Sequence, residues 1–121
     1  MTAAMNTINI QDGSVRLTNK AGGDPDFTFP LFDVPDANLG YRPTLVFRVD
    51  RDWGTSTLEL LLNDESVYRE TGSYGSGASD HEIVDHDILV ATGNKLEAIV
   101  TGANPGELRL SDVQMTYQVI A

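Results

Sequence analysis

Glu107-Leu-Arg-Leu-Ser-Asp-Val-Gln-Met-Thr-Tyr-Gln-Val119 is the stretch whose reading decides the fold. Leu108 and Leu110 stand two apart; Val113, Met115, Tyr117 and Val119 then continue the two-residue step in the opposite phase, with Ser111-Asp112 marking the slip. Successive side chains of a strand point to opposite faces, so this rhythm describes a strand with one buried side, and the slip describes a bulge. Leu96, Ala98 and Val100 repeat the step, as do Leu58, Leu60 and Leu62, and Leu45, Phe47 and Val49. No run of a dozen residues keeps an apolar period of 3.6, which predicts little or no helix.

Working outward, residues 6–10 and 14–19 read as two strands of an N-terminal ribbon, because Gln11-Asp12-Gly13 between them carries the Asp-Gly hairpin signal. Residues 20–26 concentrate Gly, Asp and Pro and form a loop, and a short strand follows at 27–32. Residues 33–42 hold Pro35, Asn38 and Gly40 and make a long connection. Strands at 43–50 and 57–62 are joined by Arg51-Asp-Trp-Gly-Thr55, and Asn63-Asp64 turns the chain into 66–70. A Gly- and Ser-rich loop at 71–79 leads to a strand at 81–90, whose apolar residues share one face only with a bulge near 85–87. Thr92-Gly-Asn94 and Gly102-Ala-Asn-Pro-Gly106 make the last turns. The pattern predicts one all-β domain over 1–121: a two-sheet antiparallel β-sandwich of jelly-roll type with eight or nine strands.

A chain of 121 residues can bury a core without staples, and without cysteine it has no disulfide, thiolate metal site or cysteine nucleophile. The formal charge is -10, and the eight Lys and Arg residues are scattered. Nucleic acid and anionic membranes require cationic stripes, so neither is an expected partner. The acidic balance serves solubility or, on a sharper reading, a carboxylate cluster holding calcium. Met1-Thr-Ala-Ala-Met-Asn-Thr7 has no basic region and no apolar run of signal-peptide length, and no segment reaches bilayer-spanning length. A cytoplasmic location, or release by a non-conventional route, is the expectation.

If consecutive strands reverse direction, the connections at 51–55, 71–79 and 102–106 emerge at one end. Trp53, the only tryptophan, and Tyr74 then share a rim with Arg51, Asp52, Ser73, Ser76 and Asn104. Exposing an indole forfeits burial free energy of roughly 2–3 kcal/mol. Either Trp53 folds back as a lid over the core, or a ligand or partner covers it. Sugars suit such a rim, since a pyranose C–H face stacks on an aromatic ring while carboxylates, amides and guanidinium groups bind its hydroxyls.

Three segments carry a resemblance: Thr57-Leu-Glu-Leu-Leu-Leu-Asn-Asp-Glu-Ser-Val67, Gly93-Asn-Lys-Leu-Glu-Ala-Ile-Val-Thr-Gly102 and Gly106-Glu-Leu-Arg-Leu-Ser-Asp-Val-Gln-Met-Thr-Tyr117. Together they resemble the second half of a galactose-binding-like jelly roll, the shape of many carbohydrate-binding modules. The departure is Asp64, where that family's hairpin has Gly. The resemblance implies no required cofactor but a structural calcium ion in many members, held by an Asp of the last strand and N-terminal loop oxygens. Asp112 matches the first, and Asp24 or Asp26 the second. The alternative for Asp112 is that it bonds backbone amides freed by the bulge.

Catalysis is not expected. Asp50, Asp52 and nearby acidic residues could pair as in glycoside hydrolysis, but no deep cleft or nucleophile motif accompanies them. His81 and His86 stand five apart on a strand, on opposite faces unless the bulge intervenes, which disfavours a metal site. Two functions are left: a non-catalytic, lectin-like carbohydrate-binding module using the rim of Trp53 and Tyr74, or a structural particle or appendage subunit. For the second, apolar Val46 and Leu61 on outward positions would pack against other copies, or equally be buried by the N-terminal ribbon. Homo-oligomerisation is expected under both.

Overall fold

A computed structural model of the protein describes residues 4–38, 41–73, 77–83 (backbone only) and 88–119. These form strands β1 (Ala4–Thr18), β2 (Asp26–Thr28), β3 (Thr44–Leu62), β4 (Glu65–Ser73), β5 (Gly77–Ile83), β6 (Leu96–Thr101) and β7 (Gly106–Val119). Every strand pairing is antiparallel. The 19-residue β3 belongs to both layers of the sandwich. Its first half lies between β7 and β5, with β1 outside β7; its second half lies between β4 and β6, with β2 outside β6. Alternate residues face inward from both halves, so Leu45, Phe47 and Val49 meet Leu58, Leu60 and Leu62 in one core. Leu96, Ala98, Val100, Leu108, Leu110, Val113, Met115 and Tyr117 complete it at 2% exposure or less. Burial of each large apolar side chain contributes about 2 kcal/mol.

The all-β sandwich and its inward residues are those the alternation predicts, and the slip in β7 is real. Asp112 adopts φ 53, and the register against β1 and β3 shifts beside it. Asn63 and Asp64 both have positive φ, the conformation of a two-residue type I′ hairpin. Seven strands are defined among the described residues, against eight or nine expected, for two reasons. Gln11-Asp12-Gly13 is absorbed in two register shifts within a continuous β1, because β7 pairs with it on both sides of the irregularity. Likewise 51–55 is not a loop: pairing to β7 continues through Gly54, and pairing to β4 starts at Thr55. The strand expected at 27–32 is shortened to β2, with Phe32 making an isolated bridge to Asn94. The bulge expected near 85–87 lies outside the described residues.

One end of the sandwich is tied by an amide pair, Asn94 and the half-buried Asn63. Asn94 is fully buried; its Nδ2 donates to the carbonyls of Val90 (2.8 Å) and Phe32 (3.1 Å). Its Oδ1 accepts from the Val90 amide (2.9 Å) and from Asn63 Nδ2 (3.0 Å). Asn63 in turn accepts from the Lys95 amide (2.8 Å) and donates to Ile88 O (2.8 Å). The side chains thus supply partners to backbone that leaves the sheets without a strand neighbour. Asn94→Ala is expected to cost about 2–4 kcal/mol in urea unfolding, because several buried groups lose partners together; a loss below about 0.5 kcal/mol, the size of an ordinary surface change, would contradict this role.

Candidate functional site

The corner of β3 is built by a bulge. Arg51 is registered to Leu108 and Trp53 to Glu107, so β3 spends one more residue than β7 over this step. Leu108 faces the core and Glu107 alternates with it, so the extra residue turns Trp53 to the outer face with Glu107. Trp53 is 37% exposed and is not a lid over the core. The next residue, Gly54, has φ +70, and a Cβ there would stand 2.3 Å from Pro105 O, so only glycine fits the crossing.

Arg51 is not available to a ligand, contrary to the expectation for the rim. It continues the inward phase of Val49, is 8% exposed, and spends its guanidinium on backbone. Nη1 donates to Ser56 O (2.9 Å) and Gly72 O (3.3 Å), and Nη2 donates to Glu70 O (3.3 Å). Gly72 leaves room for it, since a Cβ there would lie 2.4 Å from Arg51 Nε. Arg51→Ala is expected to cost about 2–4 kcal/mol. Gly72→Ala should be harmful with Arg51 present and nearly neutral in Arg51→Ala, a non-additivity of about 1 kcal/mol or more in a double-mutant cycle; strictly additive losses would show that the two do not share this contact.

Among the described residues, the outer face around Trp53 carries three ion pairs. Asp52, in the bulge, takes Arg109 Nε on both oxygens (3.1 Å each) and Nη2 at 3.0 Å. Arg48 Nε lies 3.0 Å from Asp50, and Arg16 Nε 3.8 Å from Glu107. Hydrogen bonds to Asp52 and Asp50 raise the pKa of Arg109 and of Arg48 above the ordinary arginine value, and Asp112 adds a smaller Coulombic pull on Arg48. The Arg48 hydrogen bond holds the Asp50 carboxyl below the usual carboxylate value. A folded pKa below the unfolded one gives stability that is complete above about pH 4 and is lost as pH falls through the lower folded value. Asp50→Asn should therefore be less stable than the native chain at neutral pH, with the gap closing in acid unfolding titrations; a gap that widens in acid would refute the pairing.

Asn104 is exposed in the loop whose Pro105 meets Gly54, and its carbonyl accepts from Asn19 Nδ2 at 3.1 Å. Tyr74 and Ser76 lie outside the described residues; Ser73 and Gly77, which flank 74–76, are registered to Thr55 and Asp50 on either side of the corner. The calcium set does not converge. Asp24 bonds through its carbonyl to Thr18, which is level with Glu107, whereas Asp112 is five residues further along β7, about 16 Å at about 3.3 Å per residue. Asp26 sits in β2 against Ile99, in the other layer. Among the described residues no group of three or more His, Asp or Glu could hold a metal ion. His81 is in β5 opposite Val46, and His86 lies outside the described residues. Val46 and Leu61 are half-buried within the single chain, leaving less open apolar surface than their sequence positions suggest.

Local sequence does not connect Glu107, Arg109, Arg16 and Arg48 with the face that carries Trp53. Alternation marks all four as outward, but only the distant β3–β7–β1 register brings them together. No protein-family model matches the chain, and no curated protein matches it. Solved structures share the fold. The chain is similar to infectious bursal disease virus, Gt strain (TM-score 0.56, 10% identity, 97% of this chain and 32% of that one). It is also similar to dimeric latent PorU from Porphyromonas gingivalis (TM-score 0.55, 11% identity, 97% and 13%). A third similar structure is the CBM36-1 domain of a multidomain xylanase from the hindgut metagenome of Trinervitermes trinervoides (TM-score 0.51, 10% identity, 98% and 100%). The chain therefore spans about a third of the viral chain and the whole of the CBM36-1 domain, and the likeness covers both halves of the sequence. At these identities the likeness establishes a jelly-roll sandwich.

Proposed function

We propose that this protein is a non-catalytic carbohydrate-binding module that stacks a sugar ring on Trp53 and bonds its hydroxyls through the surrounding Asp52, Arg109, Glu107 and Arg16. The observation that carries this reading is the bulge at Asp52, which leaves the single tryptophan exposed on a paired strand instead of in the core. An indole held by strand pairing loses little entropy on binding, and charged groups fixed by mutual pairing are preorganised for hydroxyls. The CBM36-1 domain, named as a carbohydrate-binding module of a xylanase, supplies a precedent on this fold. Against catalysis, Asp50 and Asp52 are each engaged by an arginine, so the two do not stand as a free carboxylate pair for glycoside hydrolysis. The module acts as a homo-oligomer, so that weak single sites gain avidity.

Because Trp53 is the only tryptophan, its fluorescence reports the site directly. Titration with binding glycans should shift or quench that emission, and Trp53→Ala should lower affinity by about tenfold or more while unfolding at nearly the native temperature. Binding should persist in excess chelator, since the paired charges and the indole need no metal. Retained affinity in Trp53→Ala, or complete loss in chelator, would contradict this site.

A further inference from the structure

We propose that the Trp53 face takes an uncharged polysaccharide and discriminates against chains bearing carboxylate or sulfate. The inference rests on the carbohydrate reading and adds the chemical class of the ligand. Three of the eight cationic residues, Arg16, Arg48 and Arg109, are gathered on this outer face, yet each is matched by a carboxylate: Glu107, Asp50 and Asp52. Among the described residues of this face, Asp112, acting on Arg48 from the bulge of β7, gives a slight negative balance. An anionic sugar would have to displace Asp52 from a contact in which both oxygens are engaged, and would do so on a molecule of net charge -10. An uncharged ring meets no such competition. The arginines keep exposed N–H groups (side chains of Arg16, Arg48 and Arg109 66%, 50% and 42% exposed), and the carboxylates keep free lone pairs, so both donors and acceptors stand ready for hydroxyls. From the level of Trp53 and Glu107 to that of Arg48 and Ser111 the platform runs four residues of β7, about 13 Å, long enough for more than one ring.

The test uses glucose-, mannose- and galactose-based oligosaccharides, each beside its uronate counterpart of the same linkage and length, with Trp53 fluorescence and calorimetry on the full chain. The neutral member of a binding pair is expected to bind at least about tenfold more tightly, with affinity changing less than about twofold between low and high salt. Asp52→Asn, which frees Arg109 while keeping the residue's shape, should narrow that preference by about tenfold in favour of the uronate, an effect a purely structural role for Asp52 would not produce. A uronate that binds the native chain more tightly, with steep salt dependence, overturns the inference and leaves the carbohydrate module standing. Neutral binding untouched by Trp53→Ala overturns the site, and absence of binding by every member of both series removes the carbohydrate reading itself.

Discussion

The architecture depends on one strand holding two sheets. β3 pairs with β7 and β5 in one layer and with β4 and β6 in the other, so its corner at 51–54 must bend without losing backbone hydrogen bonds. Three devices meet there: a bulge at Asp52, a left-handed Gly54 against Pro105, and the guanidinium of Arg51 bonded to three carbonyls of β3 and β4. Arginine suits the last task because its planar fork offers several fixed donors, and burying its charge is tolerable when carbonyl dipoles converge on it. Alignment of those carbonyls and the outward turn of Trp53 are consequences of the same bend.

Away from the corner, amide side chains tie both ends of the sandwich. Asn19 wraps the 102–106 turn, accepting from the Gly106 amide at 2.8 Å and donating to the carbonyls of Gly102 (3.3 Å) and Asn104 (3.1 Å). Asn63 and Asn94 do the same at the opposite end. Strand ends leave backbone groups unpaired, and an amide can both donate and accept, so one side chain satisfies two directions at once.

The outer face of the β1–β7–β3 layer shows how charge is used without contributing much to stability. Exposed ion pairs are individually worth little. Their effect is to make a region of balanced charge on an acidic molecule, and to hold polar groups in place around the one exposed indole. Function on this fold then depends on surface chemistry that the core neither requires nor forbids.

By itself the sequence determined the fold class, the inward residues of β3, β6 and β7, the slip at Asp112 and the hairpin at Asn63-Asp64, because these follow from local periodicity and turn chemistry. It also marked Trp53 as unusual. It misread 51–55 as a loop and Arg51 as a rim residue, since whether polar residues break a strand or bulge within it is decided by what the neighbouring strand continues to pair with. Only the tertiary structure placed Arg109, Glu107 and Arg16 on the face that carries Trp53 and separated Asp112 from Asp24. Periodicity assigns a side chain to a face, but register between strands some fifty residues or more apart assigns its neighbours, and a binding surface is made of neighbours.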